Sequence, residues 1–380
     1  MYIFVAFFSI LILLNSSKLS LNKSLLSKLY LILIFALGIF RDTCIGTDIN
    51  IGDGYYNVWF SPFSASCLDE VEYGFLLLTS LIKKINYSYT FYYGFIYFLT
   101  MLIYFFSVKK ILRNPAVFFA IYFLSSSIIS SFNTIRQELA LAFSLLVFFH
   151  CIGNVFTKVT LANANNKMLI WRLIIYELLI LIISYTIHGS VLILIMLPIF
   201  YIRKIQEILS KDVVLWSLLL AVFCINVFYG TYVQLAVIWL QSTLHIGGRA
   251  DFWISVIERF GDDIVSTHGF LTILISGSIA ILASKNRRDV FFYMGFVGFL
   301  LSSLASANLG TIGRVFNNIS IFLVVYYARI FGNILVSYKI KNFDLRWLVI
   351  TLLLFDWLTG FYFTTILNNT VSPYKSYLFL

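Results

Sequence analysis

Residues 173–201 read LIIYELLILIISYTIHGSVLILIMLPIFY, and the way this run folds decides the architecture of the chain. A helix needs about 20 residues to cross a hydrocarbon layer roughly 30 Å thick, so the run is too long for one crossing and tight for two. Tyr185, His188 and Gly189 interrupt it near its middle. They predict a hairpin of two short helices turning at His188 and Gly189, with a re-entrant pair as the alternative.

Similar apolar runs recur from end to end. The chain is 61% hydrophobic and 12% charged, about half the charge of a soluble globular protein, which excludes a soluble domain of this length. Runs near 2–15, 27–40, 90–108, 115–131, 137–156, 170–187, 189–202, 213–230, 268–284, 289–307, 315–337 and 346–366 are twelve candidate spans. The expected fold is an all-α polytopic membrane protein with about 12 transmembrane helices. Four prolines, twenty glycines and no low-complexity tract mark no linker. Residues 1–380 are therefore expected to form a single transmembrane domain, with long extracytoplasmic loops at 41–89 and 231–267. Met1 to Leu14 lack a preceding basic segment and a small-residue cleavage site, which predicts a retained first span rather than a removed signal peptide.

In a soluble chain a net charge of +10 would point to nucleic acid. Here the basic residues sit in short clusters between apolar runs, which is a topological pattern, and no nucleic-acid partner is expected. The clusters are Lys18/Lys23/Lys28, Lys109/Lys110/Arg113, Lys158/Lys167/Arg172, Arg203/Lys204/Lys211, Lys285/Arg287/Arg288 and Lys339/Lys341/Arg346. If all twelve runs cross, all six clusters fall on one side, the cytoplasmic one, and both termini lie outside. Lys83 and Lys84 break this scheme by falling on the outer side. Glu72 to Ile85 is therefore read as an interfacial helix, because a further crossing would flip the downstream orientation against the clusters.

The remaining charges are of a different kind. Arg41, Asp42, Asp48, Asp53, Glu72, Arg136, His188, Arg249, Arg314 and Lys375 all fall on the outer side, and topology requires none of them. A lone Arg or Asp at a membrane helix centre costs roughly 2.5–3.5 kcal/mol on insertion scales, so such groups face a cavity or each other. In IFRDTCIGTD (39–48), Arg41 would hold an anion and Asp48 would face a sugar hydroxyl; the alternative is a solvated loop with an interfacial Arg–Asp pair. In SFNTIRQE (131–138), an Asn133 N-cap would put Arg136 and Gln137 in a first helical turn. Guanidinium and free N–H groups would there seat a phosphate or diphosphate; the alternative is an anchor or a partner for Glu138. His188 can take a proton near neutral pH, or be a hydrogen-bonded structural residue at a helix break. Arg249 would line a saccharide groove or be solvated, and Arg314 opens the eleventh run much as Arg136 opens the fifth. No Walker lysine loop, dinucleotide glycine fingerprint or His-Glu-x-x-His is present, so nucleotide-driven pumping is unsupported. No D-x-D run supports a metal-dependent nucleotide-sugar mechanism either. Cys44 and Cys67 share the first outer loop and are candidates for an oxidised pair.

The order Arg41-Asp42, Gly46-Thr47-Asp48, Tyr55, Glu72-Tyr73-Gly74 and Asn133-x-x-Arg136-Gln137 resembles the EpsG-like and Wzy polysaccharide polymerases. His188-x-Ser190, Arg314 and Ser372-Pro373-Tyr374 continue the pattern, so the similarity covers about residues 36–375; Gly52-Asp53-Gly54 has no counterpart in it. The resemblance implies a GT-C-like membrane glycosyltransferase of the bacterial inner membrane, active at its periplasmic face. It would polymerise undecaprenyl-diphosphate-linked oligosaccharide repeat units into O-antigen, capsule or exopolysaccharide, with no cofactor and no metal. Implied partners are the lipid-linked donor and acceptor, membrane lipid, a chain-length regulator and a flippase. By resemblance and chemistry, Arg136 and Arg314 go to the diphosphate and Asp48 or His188 to the acceptor proton. Arg41, Asp42, Glu72, Gln137, Arg249 and Tyr374 go to donor or glycan contacts. A lipid-linked oligosaccharide flippase is the rival from another class, but it would carry polar residues through the midplane and a repeat between halves. An O-antigen ligase shares the donor, and the first-loop pattern favours the polymerase.

Overall fold

The computed structural model describes residues 2–16, 24–40, 54–125, 134–153, 167–244, 267–284, 288–306, 310–332, 339–340 and 343–361. The regular elements among them are helices, except for one antiparallel ladder of β1 (Lys339–Ile340) on β2 (Phe343–Asp344). The chain divides into two compact units, Met1–Pro198 with Val324–Leu380, and Ile199–Leu323.

The first unit is built on α1 (Tyr2–Asn15), α2 (Leu25–Ile39), α6 (Tyr89–Lys109), α7 (Ala116–Leu124), α8 (Ile135–Phe148), α9 (Lys167–Thr186) and α15 (Leu345–Phe361), with three short helices between α2 and α6. Every residue of α7 is buried, which makes it the centre; α1, α2 and α15 pack on it. From α2 the packing passes to α6, then α8, then α9. Apolar surface supplies no preference between helix and lipid, so close backbone approach and polar contacts decide which helices pair. At Gly38 the Tyr97 ring stands where a Cβ would be, 2.3 Å from it, and the Tyr97 hydroxyl donates to the Ile34 carbonyl (3.1 Å). Ser9 and Tyr30 share a hydrogen bond at 2.6 Å, and Asn114 donates to Ser27 (2.9 Å). Helix starts follow local chemistry, with Ser24 and Ser88 accepting from the Ser27 and Phe91 N–H groups.

Residues 41–89, read from sequence as a long loop with one interfacial helix, hold three helices: α3 (Gly54–Phe60), α4 (Ala65–Glu70) and α5 (Tyr73–Ile85). The anomalous Lys83 is a structural residue. Its ammonium donates to the Trp59 (3.3 Å) and Phe60 (2.8 Å) carbonyls at the C-terminal end of α3, where a cation meets the negative end of the helix dipole. The Trp59 and Tyr87 rings lie 5.2 and 4.8 Å from it.

Within 173–201 two helical legs meet at the expected turn, His188 and Gly189. α9 ends at Thr186, and a 3-10 helix occupies Gly189–Tyr201. At about 2.0 Å rise per residue these 13 residues reach roughly 26 Å, further than an α-helix of the same length. The Tyr176 hydroxyl donates to the Leu194 carbonyl (2.6 Å) and Ser184 to the Gly189 carbonyl (3.2 Å), tying the two legs together. α9 turns Tyr176, Ile180 and Ile183 inward and leaves Trp171, Ile175, Leu178, Ile182 and Tyr185 exposed. A helix apolar on both faces needs an apolar solvent on its outer one.

In the second unit, α10 (Arg203–Leu209) and α11 (Asp212–Leu244) meet at a bend of 75°, and α12 (Thr267–Ala283) and α13 (Val290–Ser306) pack against α11. Arg288, only 6% exposed, bonds Asp212 (2.6 Å), the Ser210 carbonyl (2.9 Å) and the Ser284 hydroxyl (3.2 Å). It ties the bend to the end of α12. Helix α11 runs on to Leu244, so the first part of the expected 231–267 loop is helical. α14 (Gly310–Gly332) starts before the expected 315.

Each of the twelve apolar runs contains a helix. By length and composition, two helical stretches among the described residues suffice to cross a membrane, Tyr89–Lys109 and Ile135–Ile152; the bent α10–α11 pair adds a third if it is one span. At 21 residues, α6 is roughly 31 Å long, which matches the hydrocarbon layer.

Candidate functional site

Glu72 is the N-cap of α5, with extended backbone (φ −62°, ψ 135°), and its side chain makes no capping bond to its own helix. The carboxylate is committed elsewhere. One oxygen, Oε2, accepts from the Arg136 guanidinium Nη1 at 2.8 Å. The other, Oε1, accepts from the Gly189 backbone N–H at 3.0 Å and lies 3.7 Å from His188 Nδ1. Residues 72, 136 and 188–189 thus meet at the heads of α5, α8 and the 3-10 helix. Gly74 makes the meeting geometrically feasible: the Thr186 carbonyl oxygen stands 2.6 Å from where its Cβ would lie, so only glycine lets the first turn of α5 rest on the end of α9.

Arg136 occupies the first turn of α8, but the N-cap is Thr134 rather than the expected Asn133, and it makes no side-chain cap. The guanidinium carbon lies 5.9 Å from the centres of both the Tyr55 and Phe75 rings, within cation–π range. Tyr55 also hydrogen-bonds it. The Nε atom is buried and has no hydrogen-bond partner. The side chains of Arg136, Glu72 and His188 remain 20%, 22% and 27% exposed, which leaves the cluster reachable from outside. His188 Nδ1 accepts from the Ser190 N–H (3.3 Å), an arrangement that puts the proton of a neutral ring on Nε2.

The alternative pairing of Arg136 with Glu138 is not what forms. Glu138 is buried and its Oε2 accepts from the Tyr104 (2.8 Å) and Tyr122 hydroxyls, which fixes the start of α8 to α6 and α7. Gln137 between them is buried. Arg314 lies one turn inside α14 rather than at its head, and its side chain is outside the described residues. Arg41, Asp42, Asp48, Arg249 and Tyr374 also lie outside the described residues, as does Cys44. Among the described residues no three His, Cys, Asp or Glu side chains gather as metal ligands.

Reading the sequence missed the ring pair and the backbone donor. Tyr55 was visible only as a motif position, and Phe75 follows Glu72 by three residues. Gly189 was noticed as a turn, although its N–H is the group that binds.

Apolar helices with exposed apolar faces define a predominantly helical membrane protein, in which a charged cluster is gathered at three helix heads. The chain belongs to the EpsG family, whose family model matches residues 23–376. No curated protein and no solved structure matches it. Family membership points to an exopolysaccharide or O-antigen polymerase type of role, carried out by a glycosyltransferase-like enzyme.

Proposed function

We propose that this protein polymerises oligosaccharide repeat units carried on undecaprenyl diphosphate, at the extracytoplasmic face of the bacterial inner membrane. In this reading the twelve apolar runs are twelve crossings of a single GT-C-like membrane domain and the six basic clusters face the cytoplasm. The observation that carries the proposal is the convergence of Glu72, Arg136 and the His188-Gly189 turn. Three motifs far apart in sequence meet there: Arg136 and the Gly189 helix-head N–H are donors for an oxyanion, Glu72 is the carboxylate they hold, and the His188 imidazole stands beside them.

The terminal sugar hydroxyl of one lipid-linked glycan attacks the anomeric carbon of another. The bond from that carbon to the diphosphate oxygen breaks, lipid diphosphate leaves, and the hydroxyl proton passes to a base. Arg136, with Arg314, stabilises the charge that grows on the departing diphosphate. Asp48 or His188 takes the proton; His188 can do so only through a ring nitrogen that carries none. Arg41, Asp42, Gln137, Arg249 and Tyr374 are assigned to donor or glycan contacts. Tyr55 and Phe75 flank the guanidinium and keep it partly dry.

The test is to delete the gene and compare surface glycan on a gel after complementation with the wild-type chain, Arg136→Ala or His188→Ala at matched abundance. The expected result is single repeats without a ladder in the deletion and in Arg136→Ala. Lipid-linked repeats retained on the cytoplasmic face would identify a flippase instead. A polymer made but not attached to its final acceptor would identify a ligase. A full ladder from Arg136→Ala would remove the diphosphate role.

A further inference from the structure

We propose that Glu72 is an internal counter-anion: its carboxylate holds the Arg136–Gly189 seat in the resting protein, and a phosphate or diphosphate group binds by displacing it. The inference rests on the reading of Arg136 as a diphosphate ligand and deepens it.

The seat offers two donors, a guanidinium and a backbone N–H at a helix head, beside an imidazole whose Nδ1 accepts from the Ser190 N–H. Such donors bind carboxylate and phosphate oxygens alike, and Glu72 spends one oxygen on the first and one on the second. The match is incomplete, because Arg136 Nε is buried with no acceptor. A guanidinium fork has five donors in one plane, and a tetrahedral anion brings more oxygens to it than one tethered carboxylate. With the side chains about one-fifth exposed, an incoming anion can reach the fork. The displaced carboxylate also has somewhere to go. Glu72 stands at the N-cap of α5 and makes no side-chain bond to that helix, so its release leaves it beside first-turn N–H groups and the positive end of a helix dipole. The Tyr55 and Phe75 rings hold the guanidinium while the anions exchange.

Competition and mere positioning predict opposite signs. A competing carboxylate lowers affinity for the ligand, so removing its charge tightens binding; a carboxylate that only positions Arg136 weakens binding when removed. The experiment is calorimetric titration of the full chain in nanodiscs with inorganic pyrophosphate and, separately, farnesyl diphosphate. Glu72→Gln is expected to bind about tenfold tighter, and Arg136→Ala to lose binding. Tightening toward farnesyl diphosphate alone assigns the seat to a lipid headgroup, and tightening toward both assigns it to the diphosphate itself; either supports exchange. Equal or weaker binding by folded Glu72→Gln, with Arg136→Ala still inactive in binding, overturns exchange and leaves the Arg136 seat standing. Binding unaffected by Arg136→Ala, or no binding of either probe by any chain, overturns the seat and exchange together. The second measurement uses the wild-type chain only. Carbodiimide labelling of Glu72, read by peptide mass spectrometry, is expected to rise at saturating pyrophosphate, and unchanged or reduced labelling overturns the exchange.

Discussion

Replacing Gly74 by Ala tests whether the close approach of α5 and α9 sets the charged cluster. A Cβ at position 74 would stand 2.6 Å from the Thr186 carbonyl oxygen and 2.7 Å from the Thr186 Cβ. Ordinary contact begins at 3.4 Å, so the first turn of α5 must retreat by about 0.8 Å, because the opposing atoms belong to a helix end and cannot swing away. Glu72 lies on the same turn, with its Oε1 3.0 Å from the Gly189 nitrogen. A retreat of that size opens the contact to about 3.8 Å, beyond hydrogen-bond reach. Losing a hydrogen bond to a charged group costs roughly 1.5–3 kcal/mol and overpacking adds roughly 1–3 kcal/mol. At an unconstrained helix position the same change would stabilise by roughly 0.8–1 kcal/mol, so the sign is diagnostic. The expected outcome is a lower thermal unfolding midpoint in detergent and a shortened glycan ladder at matched membrane abundance. A wild-type midpoint with a full ladder would refute the claim that this glycine positions Glu72.

Substitutions at two further positions separate structural from functional charge. Glu138→Ala leaves the Tyr104 and Tyr122 hydroxyls without their buried acceptor, at roughly 1–3 kcal/mol for each, whereas Glu138→Gln keeps a carbonyl oxygen there; thermal unfolding should rank wild type and Gln close together and Ala well below. Lys83→Met removes the two bonds to the end of α3 and is expected to cost about 1 kcal/mol while leaving cysteine labelling at Phe60→Cys in intact cells unchanged; loss of that labelling would make Lys83 a topological anchor after all.

Much of the helix pattern was legible because the signal is compositional. Apolar runs long enough to matter become helices in any apolar solvent, since backbone groups there must bond within the segment. The turn at His188 and Gly189 was legible from length, because the apolar run around it is too long for one crossing and His188-Gly189-Ser190 breaks it near its middle. Its second leg was not, because an apolar string carries no mark that distinguishes an α-helix from the 3-10 helix of Gly189–Tyr201. Helices α3 and α4 were missed because each is of seven residues or fewer, too short for periodicity to register. Lys83 read as a misplaced topological charge because charge counting cannot tell a cap from an anchor.

The partner of Arg136 is the instructive miss. Glu72 lies 64 residues away in sequence, and the Gly189 N–H that shares its carboxylate lies 117 away from it; nothing in one sequence joins them. Glu138 was the local candidate, yet the spacing already argued against it. Residues two apart on an α-helix point about 200° away from each other, and only those three or four apart face one another. Once Ile135 opens a helix, Arg136 and Glu138 must therefore serve different neighbours. Glu138 turns to the Tyr104 and Tyr122 hydroxyls in the interior, and Arg136 turns to the partly exposed heads of α5 and the 3-10 helix. The buried carboxylate fixes the helix that presents the exposed cation. A loss of polymer in Glu138→Ala would consequently reach the chemistry through the placement of Arg136, and Glu138→Gln, which keeps that placement, should restore it.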